Sequence, residues 1–456
     1  MALEDATDAG EELVARVAAI DIAKASAMVC TRSPHPSREG RRVQHVWAVG
    51  ATTKAVLELG ARLVEEGVER VVMEATGVYW KPFFYLLEGC GLECWLVNAR
   101  DVKNVPGRPK TDRLDAVWLA KLTERGMLRP SFVPPRAVRE LRDLTRTRAV
   151  FVRDRTRDKQ RTEKVLEDAQ IKVSSVISDI YGLSGRAILD ALAAGEHDPW
   201  ILAEKVHSSM AAKKPAIREA LEGSFTSHHA YLLGVLLQTV DYLTGQIDAL
   251  TARIEQQLAA MPAQGASRDD SGPGTGEEPG APTEDPGCRQ SGLLPLAGRL
   301  DEIPGVGPKV AQVILAEIGT DMSVFPTAEH LASWAKFCPR SVQSGPRSSS
   351  GRTGKGNGWL RGALGEAAAA AAKTDTFLGA RYRRLVKRIG KQKALVAVAR
   401  SILVIAWHLI RDPAARYQDL GPDWHQRMTD PVRKTHSLVR QLEALGHQVA
   451  LTTPAP

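Results

Sequence analysis

The chain has 456 residues, 43% of them apolar, and 61 Lys and Arg against 53 Asp and Glu, for a net charge of +8. That length exceeds one ordinary hydrophobic core, so two or three domains are expected, and the basic balance favours a polyanionic partner over an acidic small molecule. Five scattered cysteines, of which only Cys90 and Cys94 lie close, complete no zinc site and fit free thiols in a reducing cytosol. The acidic N-terminus lacks an apolar signal core. The apolar stretch 394–410 contains Arg400 and is short for a bilayer, so it predicts a buried helix and no membrane partner.

Residues 14–98 alternate strand-like and helix-like patterns. Val14–Ile22, Ala25–Cys30 and Val43–Val49 predict three strands in a meander, and Ala55, Leu59 and Leu63 give Ala51–Glu66 a helical spacing. Arg70–Met73 and Glu93–Val97 predict strands on either side of a helix near Tyr79–Leu87. Three strands, helix, strand, helix, strand is the order of a ribonuclease-H-like sheet, which spacing alone does not prove. Pro106-Gly107-Arg108-Pro109 then breaks the chain, and Thr111 reads as the N-cap of a further helix.

Four acids fall at informative places in this pattern. Asp21 ends the apolar run 17–20, Glu74 ends Val-Val-Met (71–73), and Asp112 and Asp115 share one turn of the helix after Thr111. Carboxylates three residues apart on a helix repel unless a cation lies between them. Two acids at strand ends and two on one helical turn suit a pair of divalent ions, which activate a nucleophilic oxygen and stabilise a leaving oxygen in phosphodiester cleavage. A structural salt-bridge network is the plainer alternative.

From about Pro135 the pattern turns helical and basic, with Arg139, Arg142, Arg146 and Arg148 among eleven Lys and Arg residues between 136 and 164. Arginines on most sides of a helix predict phosphate binding, against the alternative of a solvated face balanced by Asp143, Asp154 and Asp158. Leu236, Leu243 and Leu250, with Val240, Ile247 and Ile254 four further on, form a coiled-coil seam, either within the chain or between subunits. The Gly/Pro/acidic stretch from Pro262 reads as a flexible linker. Beyond it, Ile303-Pro-Gly-Val-Gly-Pro-Lys309 before a helical run is the turn of a helix-hairpin-helix element, in which Gly305, Gly307 and Lys309 would meet a phosphate. The stretch 338–355 mixes serines with Arg340, Arg347, Arg352 and Lys355. Its composition suggests a flexible loop, and the cations would neutralise a phosphate if one serine were a nucleophile.

Taken together, these segments resemble the insertion-sequence transposases that join an N-terminal RuvC-like "DEDD" domain to a C-terminal helical domain carrying a serine, a group that includes bridge-RNA-guided recombinases. The resemblance rests on Ile20-Asp-Ile-Ala-Lys24, Met73-Glu-Ala-Thr-Gly-Val-Tyr-Trp80, Lys110-Thr-Asp-Arg-Leu-Asp-Ala116, Ile303-Pro-Gly-Val-Gly307, Gln343-Ser-Gly345, Lys355-Gly-Asn-Gly-Trp-Leu-Arg361 and the helix through Arg400, in order over about 12–412. It implies an α/β plus all-α architecture: a ribonuclease-H/RuvC-like domain over 12–130, a basic helix and coiled-coil arm over 131–261, a linker over 262–297, a helical domain with a helix-hairpin-helix-like element over 298–412, and a tail over 413–456. The tail shows a short helix near Thr435–Leu445 and no evident chemistry.

The resemblance also implies roles. Asp21, Glu74, Asp112 and Asp115 match the acids that hold Mg²⁺ or Mn²⁺, and Ser344, before Gly345 and after Phe337-Cys-Pro339, matches the nucleophilic serine; Ser341 and Ser348 lack that context. Arg139, Arg142, Arg146, Arg148, Gly305, Gly307, Lys309, Arg347 and Lys355 would contact nucleic acid. Element ends and target DNA, a guide RNA, a homodimer or homotetramer and a nucleoid-associated cytoplasmic location follow as expectations. The acidic insert before the serine domain suggests looser placement of that domain. A junction-resolving nuclease using the acids alone, and a non-catalytic nucleic-acid-binding element protein, are the competing readings.

Overall fold

The computed structural model describes residues 3–5, 14–75, 77–98, 112–261, 294–345, 347–428 and 430–452. The chain divides into two compact units, residues 1–133 and 134–456.

The first unit is a mixed sheet of β1 (Leu3–Asp5), β2 (Val17–Ile22), β3 (Ser26–Pro34), β4 (Arg42–Gly50), β5 (Arg70–Glu74) and β6 (Glu93–Val97), in the order β1-β4-β3-β2-β5-β6. Strands β2, β3 and β4 form the expected antiparallel meander, and β5 and β6 add parallel to β2. That order is compatible with a ribonuclease-H-like domain. Helices α1 (Thr53–Glu65) and α2 (Trp80–Gly89) pack on one face, where Ile20, Met73, Leu59 and Phe83 share a core. Helix α3 (Asp112–Glu124) covers the other, where Val17, Ala19 and Val72 meet Ala116, Leu119 and Ala120. A central strand buried on both faces needs a continuous apolar run, which explains Val-Ala-Ala-Ile. The expected break at 106–109 and the cap at Thr111 lie outside the described residues.

The second unit begins with α4 (Arg136–Asp168), 33 residues and roughly 50 Å long. Helices α5 (Leu183–Ala193) and α6 (Lys214–Leu221) pack with shorter turns around a separate apolar cluster at its far end. The chain then returns along α7 (Ser227–Ala260). His229 meets Asp168, Thr244 meets Arg155 and Gln257 meets the Ala137 carbonyl, so α7 runs antiparallel to α4. The expected seam is therefore occupied inside the chain. Val240, Leu243, Ile247 and Ile254 are buried, Leu250 is only half-buried, and Leu233 and Leu237 replace Leu236 nearer the start.

Of the expected linker, residues 262–293 lie outside the described residues, and helix already resumes at α8 (Leu296–Asp301). Helices α9 (Pro308–Ile318), α10 (Ala328–Trp334), α11 (Gly358–Ala371), α12 (Phe377–Ile389) and α13 (Lys391–Arg411) then build a helical domain. α13 is the apolar stretch expected to be a buried helix: Val398, Ile402, Leu403, Ala406 and Ile410 form its buried side. Buried Arg299 donates to the carbonyls of Leu409, Asp412 and Ala415, capping the end of α13 with a cation where the helix dipole favours one. The tail forms α14 (Pro431–Ala444).

Candidate functional site

The sheet brings two of the four acids side by side. Ile20 stands opposite Met73 in the parallel pair β2–β5, so the next step places Asp21 opposite Glu74, on strands about 4.8 Å apart. The two-residue pleat puts Asp21 on the face of Val17 and Ala19, and Glu74 on the face of Val72, which is the face covered by α3. On α3, Asp115 directly precedes the buried Ala116, and Asp112 opens the helix one turn before it. Both sheet acids sit at the C-terminal ends of parallel strands, where open α/β sheets leave a crevice.

The far end of α3 is fixed by buried charges. Glu124 Oε1 accepts from Arg32 Nε at 2.9 Å and from Arg42 Nε and Nη2 at 2.9 and 2.6 Å, while Arg32 Nη1 donates to Gln44 at 2.7 Å. All four side chains are buried. This network pins α3 to β3 and β4 roughly 14 Å along the helix from Asp115. Sequence reasoning missed it, because nothing local marks Glu124 as buried.

Asp21, Glu74 and Asp115 are each half-buried and each has a polar or electrostatic partner. Among the described residues, no three His, Cys, Asp or Glu side chains are gathered closely enough to hold a metal, and the Asp112 side chain lies outside the description. The donor set itself, carboxylate oxygens without thiol or imidazole, fits a hard cation such as Mg²⁺ or Mn²⁺.

The serine-rich stretch is a β-hairpin rather than a loop. β7 (Ser341–Ser344) pairs antiparallel with β8 (Arg347–Ser350), Ser344 opposite Arg347, so Ser344 closes the strand at the tip. Gly345, at φ +59°, takes the left-handed conformation that a two-residue hairpin turn requires. The Ser344 and Arg347 side chains lie outside the described residues, and Lys355 is exposed. Below the hairpin, Arg361 donates to the Gly354 carbonyl at 2.7 Å and to Thr353 Oγ1 at 2.6 Å, holding the return of the chain.

The basic helix is engaged differently from the expectation. Arg146 donates both Nε and Nη2 to Glu317 at 2.8 Å, and Arg142 donates to the Glu317 and Ala316 carbonyls at 2.8 and 3.1 Å. Arg148 is buried and donates to Gln312 Oε1 at 2.6 Å. These three arginines thus bind α9 of the same chain, and they tie the serine-bearing helices to α4 despite the insert. Arg139 is half-buried and also has a partner. In the turn before α9, Gly305 has φ +86°, and a Cβ there would lie 2.3 Å from the Ala367 carbonyl, so this glycine serves close packing on α11. Gly307, the N-cap of α9, and exposed Lys309 face open space.

Glu317 and Asn357 form a structural node that the sequence reading did not single out. Asn357 Oδ1 caps α11 at the Trp359 and Leu360 amides, while its Nδ2 donates to Glu317 at 2.6 Å. The available signal was a lone carboxylate in the apolar run Val-Ile-Leu-Ala-Glu-Ile (313–318). Burial pushes the Cys30 and Cys94 thiols up to about 12, far from the reactive range.

Residues 18–171 match a transposase family model of the DEDD, IS110 type, and residues 297–383 match the model "Transposase IS116/IS110/IS902 family". An insertion element IS110 uncharacterized 43.6 kDa protein of Streptomyces coelicolor is 35% identical over 121 residues, which is 26% of this chain and 29% of that protein. Pilin gene-inverting proteins of Moraxella bovis and Moraxella lacunata are each 35% identical over 121 residues, 25% of this chain and 37% of theirs. The matched region thus spans about a third of the length of these relatives. With both family models matched in order, the first running from the sheet that carries the acids into the basic helix and the second on the helical domain that holds the serine hairpin, the chain belongs to the IS116/IS110/IS902 family of transposases.

Proposed function

We propose that the protein cuts and rejoins DNA strands at the ends of an insertion element and at its target, using a composite site of four acids and one serine. What carries this reading is the placement of Asp21 opposite Glu74 on the face of the sheet covered by the helix of Asp112 and Asp115. The four acids hold Mg²⁺ or Mn²⁺, and the ions when bound supply charge neutralisation at the phosphate and activation of an attacking oxygen. The Arg32–Glu124–Arg42 network keeps α3 in place while the acids accept that charge.

Ser344 supplies the nucleophile. Its Oγ loses a proton and attacks the scissile phosphorus; the Oγ–P bond forms as the P–O bond to the sugar breaks, and the leaving sugar oxygen takes up a proton. A second sugar hydroxyl then attacks the phosphoserine, reversing these changes on a new strand. The phosphodiester energy is retained in the covalent link, so rejoining needs no external energy source. Two relatives are named for inverting a gene, an outcome that requires rejoined strands. Arg347, which pairs with Ser344 across the hairpin, and Lys355, further along the chain, are the cations this reading assigns to the phosphate.

Sequence choice is delegated to base pairing with a non-coding guide RNA, as in other RNA-guided systems. The basic residues of α4 other than Arg142, Arg146 and Arg148, together with the Gly307–Lys309 turn, contact nucleic-acid backbone, and two or four copies assemble so that acids and serine of different subunits meet on one phosphate.

The test is to trap a covalent protein–DNA adduct with Mg²⁺ and the element ends. Adduct formation lost in both Ser344→Ala and Asp21→Ala is expected. An adduct persisting in Ser344→Ala overturns the serine assignment; cleavage that leaves free ends in that variant indicates instead a junction-resolving nuclease acting through the acids alone. Full activity of an RNA-free preparation would remove the guide.

A further inference from the structure

A cleft of about 250 Å³ opens between α4, α9 and α11, lined in part by Arg146 and Glu317. Its floor is apolar, built from half-buried Val152, Val310, Val313 and Ala363, and its wall is Trp359. Two cations and the exposed carboxylate of Glu366 stand at the rim. The exposed guanidinium of Arg153 lies 4.5 Å over the Trp359 ring, and exposed Lys309 projects from the first turn of α9.

One feature of α11 has no explanation within the chain. Gly362 sits inside the helix, where glycine lowers stability relative to alanine. A Cβ at Gly362 would meet nothing within 4 Å, and neither would one at Gly358, one turn earlier. Neither glycine has a positive φ. Gly365, outside the cleft lining, is equally uncrowded, so what marks Gly358 and Gly362 is their place along the cleft, where they leave α11 without side chains.

We infer that this cleft receives one unpaired nucleotide of a nucleic-acid strand. The base lies along the bare face of α11 and the apolar floor, stacked at Trp359, and its phosphate is met by Arg153 and Lys309. Aromatic and guanidinium planes together with apolar walls suit a heterocycle, and the two rim cations suit the phosphate attached to it. An apolar peptide side chain would use the floor and leave both cations without purpose. The volume lies just under the roughly 300–1,000 Å³ of pockets for drug-sized ligands, which matches one nucleotide and excludes a base pair. The inference rests on the reading of the protein as acting on nucleic acid.

The experiment uses the full chain with single-stranded dT12 and rU12 carrying one 5-iodouracil, irradiated and mapped by mass spectrometry, alongside binding measured with the unmodified oligonucleotides. A crosslink at Trp359 is expected, abolished in Gly362→Leu, whose side chain fills the cleft. Trp359→Ala should weaken binding roughly 5- to 150-fold, as loss of one stacked base does. Lys309→Ala should lower the slope of log K against log salt by about 0.7. Gly362→Ala should raise the melting temperature by roughly 2 °C, showing that the glycine is not there for stability. Stronger crosslinking of dT12 assigns the nucleotide to DNA, and of rU12 to RNA. Crosslinks found only outside the cleft, or wild-type affinity in a folded Gly362→Leu, would overturn the inference. The serine adduct assay is read separately, so an adduct formed normally by Gly362→Leu with an unchanged crosslink pattern removes the cleft and leaves the recombinase reading standing.

Discussion

Glu317 has no exposed side-chain surface, yet it receives both Nε and Nη2 of Arg146, a residue 171 positions earlier, at 2.8 Å. Asn357 completes the site from the start of α11. One carboxylate thus joins the basic helix, the helix after the glycine turn and the helix that follows the serine hairpin. Removing one partner of a buried ion pair leaves uncompensated charge, so Glu317→Ala should lose about 3 kcal/mol in urea unfolding, the low end of the usual range because Arg146 is one-third exposed. Stability within 1 kcal/mol of the parent would mean the node does not hold these helices together.

The same logic applies to Glu124, with a different functional consequence. Glu124→Ala strands Arg32 and Arg42 in the interior and should cost about 3–5 kcal/mol. It should also weaken Mg²⁺ binding measured by titration calorimetry, because α3 carries Asp112 and Asp115. Unchanged metal affinity in the folded variant would show that α3 is positioned by its apolar face alone.

Two glycines of one turn should respond in opposite ways. Gly305→Ala forces a Cβ against the α11 backbone at an unfavourable φ and should destabilise by at least about 1–3 kcal/mol. Gly307→Ala meets open space and should leave the melting temperature nearly unchanged. Equal effects at both positions would remove the distinction between packing glycine and surface glycine drawn above.

Glu302 is held below the usual carboxylate range, first by the side-chain hydrogen bonds from Arg416 and then by the Tyr417 amide at 3.2 Å. A depressed carboxyl adds stability that is complete above its unfolded value of about 4.3 and disappears as pH falls through the lower folded value. The melting-temperature gap between wild type and Glu302→Gln should therefore be widest at pH 6 and close as pH falls below about 4.3. A gap independent of pH would assign the effect to packing.

Cys30 lies in the core beside β2 and α3, and its raised pKa leaves almost no thiolate at neutral pH. Iodoacetamide at pH 8 should modify it only after unfolding, as peptide mapping would show; rapid labelling of the native protein would place α3 less firmly on the sheet.

Much of the sheet unit was legible because its signals are local. An apolar run ending in Asp21 and another ending in Glu74 specify neighbouring buried strands, and pleat plus register carry the two acids together without any knowledge of distant contacts. The arginines of α4 were not legible in the same way. Their spacing describes a cationic helix, but whether Arg146 meets a phosphate or Glu317 depends on a partner beyond an insert, and no periodicity encodes that. Gly305 was misassigned for a related reason: a glycine that lets a phosphate approach and one that lets a helix approach look identical in sequence. Ser344 lies between these cases, since its motif located it while composition suggested a loop where β7 and β8 pair.

The antiparallel return of α7 has a consequence for how the chain is connected. Gln257 near its end stands beside Ala137 at the start of α4, and α9, the second helix after the insert, lies against the next turns of α4. Departure and return are thus neighbours on a single helix, and the tie between them is made by side chains rather than by the intervening polypeptide. The gene should accordingly tolerate being split within codons 265–290, its two products reassembling as separate polypeptides through Arg142, Arg146 and Arg148.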